Sequence, residues 1–300
     1  MSTPQSIIET MNLRFSCRSC SGEPLPEADR RALEEAAGAT RTGPFGSRLR
    51  FLLAAAAPGD DAALKKLGTY GTIRGAGAFL IGAAERGPMY LEDYGWALER
   101  LVLEATARGL GTCWIGGFFS RGTFARRIGI TRSERLPAVI SVGLITDRHQ
   151  AQAGLVRRVS GGSRRKPWET LFFDGDFARP LAPQAGPWTV PLEMVRRAPS
   201  ASNRQPWRVV RAAGAWHFFV QRTPGYPPRI SRLLMGIEDL QRVDLGIAMS
   251  HFELAARESG LAGRWVMERP AIALPDALTE YSATWKEQGR AGEAPGPMVR

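Results

Sequence analysis

Cysteine and histidine are scarce in this chain, with three of each among 300 residues. An odd, small number of cysteines does not make a disulfide framework. A structural metal site needs about four ligands, and Cys17, Cys20, Cys113 and three distant histidines do not form such a cluster in the sequence. We therefore expect neither a disulfide-stabilised secreted domain nor a metal site.

Long hydrophobic runs and a targeting leader are also lacking. The longest apolar runs, residues 51–57 and 75–84, fall far short of the roughly 20 residues that span a bilayer. The first 14 residues contain no apolar core of the signal-peptide type. We expect a soluble, cytoplasmic protein that has no membrane partner.

Positive charge is in excess, with 40 Lys and Arg against 29 Asp and Glu and a net charge of +11. Such a balance favours anionic partners, such as phosphates or nucleic acid. The arginines are dispersed, however, and no helix-turn-helix, zinc-finger or RNP pattern occurs, so we expect no nucleic-acid partner. A basic surface without a dedicated partner remains an open alternative.

The chain contains an internal repeat. The segment DYGWALERLVLEATARGLGTCW, residues 93–114, recurs without gaps 151 positions later as DLGIAMSHFELAARESGLAGRW, residues 244–265. The leading Asp, the Gly-Leu and the final Trp coincide, and not only the apolar positions that any two helices share. The repeat predicts a duplicated unit, with a long buried helix that ends at Gly-Leu in each copy.

The remaining pattern predicts an α+β fold, because helices and strands mix without strict βαβ alternation. Short apolar segments predict strands at residues 50–57, 77–83, 207–211 and 216–221. A Pro-rich stretch marks the boundary between the copies. The expected units are a first half (1–178), a linker (179–191), a second, shorter half (192–285) and a flexible tail (286–300).

Four segments are candidates for ligand binding. Residues 14–18, RFSCR, place a hydroxyl between two guanidiniums, which suits a phosphate, and residues 164–168 form a second basic run. Residues 109–117 are rich in glycine, so their backbone N–H groups can approach a flat ligand. Residues 198–207, APSASNRQPW, form a turn rich in polar groups before a buried aromatic. For the first three segments, a solvated face or a helix end is an open alternative.

The fourth segment resembles the APSxxNxQPW signature of the nitroreductase family of flavoproteins. Given that, residues 14–18 resemble the family's RxSxR flavin-phosphate segment, residues 109–117 its glycine-rich strand beside the isoalloxazine, and residues 165–169 its basic phosphate clamp. The resemblance covers roughly residues 7 to 270 and is closest to the subgroup with two fused nitroreductase-like halves. It implies a nitroreductase-like fold whose halves form an intrachain pseudo-dimer, so that a monomer suffices.

The resemblance also implies that one flavin site is shared by the halves. The RxSxR, glycine and basic elements lie in the first copy and the PSxxN turn lies in the second, whereas residues 39–45 replace that turn in the first copy. The expected FMN-binding residues are Arg14, Ser16, Arg18, Gly116, Gly117, Arg164, Arg165, Lys166, Pro199, Ser200, Ala201 and Asn203.

The roles that the resemblance implies follow from flavin chemistry, in which NAD(P)H donates electrons and an electron-poor small molecule, of nitroaromatic or quinone type, accepts them. Arg14, Arg18 and Arg165 are assigned to the phosphate, with Arg164 and Lys166 as neighbours that can substitute for them. Ser16 is assigned to phosphate or ribityl oxygens. The turn is assigned to the ring or ribityl chain. Backbone N–H groups near Gly116 and Gly117 are assigned to flavin N5. No side chain is assigned as a catalytic acid or base.

Two alternatives remain open at this level. One is a flavin- or nucleotide-binding protein without turnover, and the other is a degenerate relic that binds no flavin. Cys17-Arg-Ser-Cys20 is a CxxC, but a redox CxxC normally opens a helix in a thioredoxin-like unit, which is not visible here. We interpret Cys17 as a packed residue within the phosphate segment.

Overall fold

Two five-stranded sheets carry the fold in this computed structural model, which describes residues 6–55, 69, 71–117, 119–146, 164–226 and 236–288. The first sheet consists of β1 (Leu49–Ala55), β2 (Ala78–Glu85), β3 (Leu110–Ile115), β4 (Glu134–Arg135) and β5 (Val139–Leu144). The second consists of β6 (Phe172–Asp174), β7 (Trp207–Ala212), β8 (Ala215–Gln221), β9 (Gly263–Val266) and β10 (Thr279–Glu287).

The described helices lie around these sheets. They are α1 (Ile7–Leu13), α2 (Glu27–Ala39), α3 (Tyr90–Ala107), α4 (Arg121–Ile128), α5 (Thr189–Arg197) and α6 (Leu240–Glu258). The α+β expectation is thereby confirmed, as are the two long repeat helices, α3 and α6. None of the helices in the described ranges is both long and apolar enough to cross a membrane.

The two sheets share one spatial order of strands. The first sheet runs β1-β2-β5-β3, with β4 paired to β2, and the second runs β6-β7-β8-β10-β9. Leaving out β4 and β6, each sheet places its first, second, last and third strands side by side, and each inserts its long helix between the second and third strands. The strand β6, which lies in the first expected half, pairs in parallel with β7 and so extends the second sheet.

The predicted strands differ from the observed ones mainly at their ends. The strands expected at residues 207–211 and 216–221 are β7 and β8, and the strand expected at 77–83 is β2. The strand expected at 50–57 is β1, and residues 56–57 lie outside the described residues. Strand β10 extends two residues into the expected tail, of which residues 289–300 lie outside the described residues.

The helices α3 and α6 cross at a pair of equivalent glycines. A Cβ at Gly95 would overlap the backbone carbonyl of Val243, and a Cβ at Gly246 would overlap the backbone carbonyl of Glu92. Both pairs are related by the same offset of 151 residues as the sequence repeat. The two backbones therefore approach each other at a point that is equivalent on each helix.

Each long helix also buries its outer face against its own sheet. In the first half the Tyr94 hydroxyl donates to the Ala138 carbonyl at 2.6 Å, and the Tyr94 ring lies 5.4 Å from that of Phe51. In the second half Phe252 contacts the rings of Trp216 at 6.0 Å and Phe218 at 5.3 Å. Because these rings are almost fully buried, they hold each helix firmly in place and thereby set the position of the residues at its start.

Candidate functional site

The turn after α5 is held in an unusual backbone conformation by its own polar groups. Ser202, Asn203 and Gln205 have φ values of 49°, 54° and 48°. This left-handed region is more easily adopted by Asn than by most residues. The backbone N–H of Gln205 donates to Ser200 Oγ at 2.9 Å, which closes the turn. The polar composition that marked this segment in the sequence therefore serves to fix its shape.

The aspartate that opens each copy of the repeat holds a loop in place in each half. Asp244 on α6 accepts the backbone N–H of Ala201 at 2.9 Å. Asp93 on α3 accepts the N–H groups of Phe45 at 3.0 Å and Ser47 at 2.9 Å, in the loop that replaces the turn in the first half. Burial raises the pKa of both carboxyls. The duplicated aspartate thus has one structural task, performed on two different loops.

Replacing Asp244 by asparagine should flatten the pH dependence of stability. The pKa of Asp244 is raised on folding, so the folded state holds its proton more tightly and the free energy of unfolding falls as pH rises from about 4 through the folded pKa. The Asn side chain keeps an oxygen that accepts the Ala201 N–H, but it carries no charge. In the wild type, Asp244 Oδ2 is buried and has no hydrogen-bond partner among the described residues. Urea unfolding between pH 4.5 and 8 measures the slope, which should be shallower than in the wild type.

The matched change at the other copy should behave differently. Each carboxylate oxygen of Asp93 accepts a backbone N–H group. In Asp93→Asn one of these oxygens becomes an NH₂ group, so one backbone N–H faces a donor instead of an acceptor. Leaving a buried donor unpaired costs about 1–3 kcal/mol, and we expect that loss of stability at neutral pH. Equal pH slopes for wild type and Asp244→Asn would show that Asp244 is not the source of the pH dependence.

The basic run of the first half contacts the turn of the second half directly. Arg165 donates from Nη1 to Asn203 Oδ1 and from Nη2 to the Arg197 carbonyl, both at 3.0 Å. Asn203 Nδ2 donates to the Arg164 carbonyl at 2.9 Å. The backbone N–H of Lys166 donates to Gln205 Oε1 at 2.9 Å. Two of the four candidate segments thus form one hydrogen-bonded unit across the linker.

A cavity of about 630 Å³ lies at this contact. Its lining residues are Arg164, Arg165, Lys166, Ser202, Asn203, Arg204, Gln205, Arg208, Gln221, Arg222, Thr223, Pro224 and Asp276. Six of these side chains are cationic and one is a carboxylate. The cavity therefore has a strongly positive lining with amide and hydroxyl groups beside the charges, which suits an anionic ligand.

Several of these cations lie close together, and their burial and mutual repulsion disfavour the charged forms. Burial, with the neighbouring charges of Arg208 and Arg204, lowers the pKa of Lys166 to about 8. Burial also lowers the pKa of Arg208 to about 10. Arg222 differs, because Asp239 and Glu280 each accept from it at 2.8 Å. A bound anion would relieve the mutual repulsion of Lys166, Arg204 and Arg208.

The N-terminal candidate segment lies along the edge of the first sheet. Ser16 forms a parallel bridge with Thr112 of β3, and the Cys17 N–H donates to the Thr112 carbonyl at 2.8 Å. Arg14 and Arg18 act electrostatically on the buried Cys113 thiol, whose pKa is raised chiefly by burial and lowered in part by the two arginines. Both guanidiniums are therefore near the Cys113 thiol of β3.

Glu99 links this segment to the second half. The Arg14 Nε lies 3.8 Å from Glu99 Oε1, and the side chain of Arg14 is 6% exposed. The other contacts of Glu99 are His251 Nε2 at 2.9 Å and Trp114 Nε1 at 2.7 Å. His251 in turn contacts the Met194 carbonyl of α5 through Nδ1 at 3.1 Å. His251 is therefore a packed, hydrogen-bonded residue that ties α6 to α3 and α5.

The glycine segment meets the second half at the start of α6. A Cβ at Gly116 would lie 2.7 Å from Cδ2 of Leu240, whereas a Cβ at Gly117 would meet nothing within 4 Å. Gly116 therefore packs closely against the Leu240 side chain, and Gly117 leaves its backbone open.

The expected site residues thus fall into two groups. Arg164, Arg165, Lys166 and Asn203 line the cavity, and the remaining residues lie outside its lining: Arg14, Ser16, Arg18, Gly116, Gly117, Pro199, Ser200 and Ala201. The sequence interpretation did not include the lining residues Arg204, Gln205, Arg208 and Arg222. Only Gln205 carried a signal, because it stands within the QPW of the turn motif. Among the described residues, no group of three or more His, Cys, Asp or Glu is arranged to hold a metal ion.

Comparisons with known proteins agree with this architecture. A family model described as "Putative TM nitroreductase" matches residues 6–256. A solved structure described as a putative nitroreductase from Thermotoga maritima has a TM-score of 0.56 at 21% identity, covering 94% of this chain and 93% of that chain. At this identity the similarity concerns the fold, and it confirms the nitroreductase-like α+β expectation.

Two further solved structures match about half of this chain. A nitroreductase with bound FMN from Bacteroides fragilis has a TM-score of 0.37 at 18% identity and covers 48% of this chain and 90% of that chain. An FMN-dependent nitroreductase from Clostridium difficile has a TM-score of 0.38 at 15% identity and covers 47% of this chain and 88% of that chain. No curated protein matches the sequence.

Proposed function

Since this chain belongs to the family described as "Putative TM nitroreductase", we propose that it is an FMN-dependent oxidoreductase with one flavin site shared by its two halves. The observation that carries the proposal is the contact between Arg165 of the first half and Asn203 of the second, in the lining of a cationic cavity. Guanidinium forks bind phosphate oxygens in pairs, and here one fork is oriented by a side chain from the other half.

The residues present suit FMN in both of its parts. The dianionic phosphate matches the cationic cluster of Arg164, Arg165 and Lys166. The cavity lining contains one carboxylate, that of Asp276. The flat flavin ring can approach the backbone closely where a residue has no side chain, as at Gly117. The N-terminal Arg14, Ser16 and Arg18 would complete the phosphate contacts.

When bound, FMN would supply the redox chemistry, taking electrons from NAD(P)H and passing them to an electron-poor small molecule such as a nitroaromatic or a quinone. The protein's own residues would bind and orient. Asn203 holds the turn against the basic run, Ser200 closes the turn, and Asp244 holds the turn to α6. No described side chain is needed as an acid or base in this proposal.

The two halves would form a pseudo-dimer within one chain. This proposal is supported by the common strand order of the two sheets and by the equivalent glycine contacts of α3 and α6. Strand β6, which crosses from the first half to the second sheet, adds a further link between the halves. A monomer is therefore expected, and light scattering after size-exclusion chromatography would give a mass near 32.8 kDa.

The flavin content of the purified protein tests the proposal. We expect about one FMN per chain after reconstitution, measured by visible absorbance against protein concentration, and bleaching of that absorbance by NAD(P)H without oxygen. Protein that takes up no FMN would contradict the flavin proposal. Two FMN per chain would contradict the single shared site, and FMN binding without bleaching would favour a binding protein without turnover.

FMN affinity should fall as pH rises through about 8. Lys166 has a pKa of about 8 and loses its charge over this range, whereas the phosphate is already dianionic above a pKa of about 6. If the protonated amine is required, affinity should fall about tenfold between pH 7 and pH 9. Fluorescence titration of FMN at each pH measures the change.

Lys166→Arg is the matched control, because arginine keeps its charge throughout this range. This variant should bind FMN with an affinity that changes less than about twofold between the same pH values. A wild-type FMN affinity that does not change with pH would show that Lys166 does not bind the phosphate.

A further inference from the structure

The Cys17 and Cys20 thiols face each other at the edge of the first sheet. Their sulfur atoms lie 3.6 Å apart. The Cys17 N–H donates to the Thr112 carbonyl at 2.8 Å, and the Cys20 N–H donates to the Arg74 carbonyl at 3.0 Å. Each cysteine is thus fixed by a different neighbouring segment, so the approach of the two thiols is built into the backbone.

The two sulfurs lie against a pair of glycines in the first sheet. Gly111 of β3 and Gly143 of β5 are paired in register. A Cβ at Gly111 would lie 2.7 Å from the Cys17 sulfur, and a Cβ at Gly143 would lie 2.8 Å from the Cys20 sulfur. A paired set of glycines therefore makes the space that the two thiols occupy.

The two thiols differ in protonation and in access. The hydrogen bond with Cys20 lowers the pKa of Cys17 against the opposing effect of burial, and the same bond raises the pKa of Cys20. Cys17 is buried, whereas Cys20 is partly exposed. Cys113 is buried, and burial raises its pKa. The pair thus combines one sulfur that ionises more readily with one that belongs to a partly exposed residue.

We propose that Cys17 and Cys20 form a redox-active dithiol that reacts with low-molecular-weight disulfides. The Cys17 sulfur, once ionised, accepts the proton of Cys20 across their hydrogen bond, and the Cys20 sulfur attacks the small disulfide, forms a mixed disulfide and releases one small thiolate, which takes up a proton from solvent. The Cys17 sulfur then attacks the Cys20 sulfur and releases the second small thiol, which takes up the second proton. Two protein thiols are oxidised to one disulfide, and one small disulfide is reduced to two thiols.

Formation of this disulfide should also affect FMN binding, because Cys17 belongs to the proposed phosphate segment, residues 14–18. This second effect rests on the proposed FMN site. A disulfide requires an S–S distance of about 2.05 Å, so the two sulfurs must approach each other. Cys17 stands between Ser16 and Arg18, and the Arg18 carbonyl accepts the Arg74 N–H at 2.8 Å. Because Arg18 follows Cys17 directly in the chain, we infer that closure also shifts the loop that carries Arg18, and we expect oxidation to weaken FMN binding several-fold.

Mass spectrometry of the full-length protein tests the dithiol. The protein is incubated with oxidised glutathione, remaining thiols are alkylated, and the denatured chain is cut with trypsin without reduction. Because trypsin cuts after Arg14, Arg18 and Arg30, the disulfide would join the peptides 15–18 and 19–30. We expect this cross-linked pair, two glutathione thiols released per chain, and full reversal by dithiothreitol.

Cysteine variants identify the pair. Cys113→Ser should form the same cross-link, whereas Cys20→Ser and Cys17→Ser should not. Three alkylated thiols after prolonged exposure, a stable glutathione adduct on Cys20, or a cross-link that contains Cys113 would each overturn the proposal.

FMN titration of reduced and oxidised protein tests the consequence separately, with Cys20→Ser as a variant that cannot close. Equal affinities in the two states of the wild type would overturn the link to the phosphate segment while the dithiol stands. A protein that forms the disulfide but binds FMN in neither state would overturn the proposed function and leave the dithiol supported.

Discussion

Replacing Arg18 in the first half and Asn203 in the second half by alanine should each weaken FMN binding about 10- to 100-fold. A hydrogen bond to a charged group contributes about 1.5–3 kcal/mol, and each 1.4 kcal/mol is a factor of about ten in affinity. Asn203 orients the Arg165 guanidinium at 3.0 Å, and Arg18 follows Ser16 in the phosphate segment. Fluorescence titration of FMN with each variant measures the loss.

The control for these variants removes an arginine elsewhere. Arg48 is 85% exposed and faces Glu85 at 3.8 Å, so Arg48→Ala lowers the net charge without touching the site and should leave FMN affinity within about twofold. Arg18 is chosen rather than Arg14 because Arg14 lies against the buried Glu99, and its loss would also destabilise the fold. Wild-type affinity in Asn203→Ala would show that the halves do not share the site.

The central helices of both halves were predictable because the same pattern of residues occurs in both copies of the repeat. The offset of 151 residues relates Asp93 to Asp244 and Gly95 to Gly246. In the structure each aspartate accepts N–H groups from a loop, and each glycine meets the other helix. Residues that perform the same contact in both copies are retained, and so they stand out in a single sequence.

The last strand was not predictable from apolar periodicity. Strand β10 buries Thr279, Ser282 and Thr284, which are polar. Thr284 is accommodated because it contacts His217 at 2.8 Å and donates to the Glu268 carbonyl at 3.0 Å. These partners come from other parts of the second half, so nothing local in the sequence indicates that the strand is buried.

The cavity lining was predictable only in part, for a related reason. The contact of Arg165 with Asn203 joins two segments that the family resemblance already grouped. Arg208 and Gln221 reach the cavity because β7 and β8 pair in one particular register, in which Trp207 stands opposite Val220. Register is a property of the assembled sheet, and the spacing of charged residues along the chain does not contain it.

The helix crossing should be the most sensitive point of the fold, and Gly246→Ala should lower the free energy of unfolding by about 2–4 kcal/mol. The added methyl would overlap the Glu92 carbonyl, which is backbone and does not move aside as a side chain does. Relief requires the two helices to separate. Because α6 begins at Leu240, against Gly116, and carries Asp244, such a shift should also loosen the turn and weaken FMN binding.

Gly38→Ala is the matched control, since Gly38 lies in helix α2 and a Cβ there would meet nothing within 4 Å. It should leave stability unchanged or raise it by up to about 1 kcal/mol, the difference in helix propensity. Gly95→Ala should repeat the loss seen for Gly246→Ala, because both glycines lie in the same crossing and the offset between the copies relates their contacts. Urea unfolding of the three variants decides the matter: a Gly246→Ala protein as stable as Gly38→Ala would mean that the crossing tolerates separation and that the halves are not held together at this point.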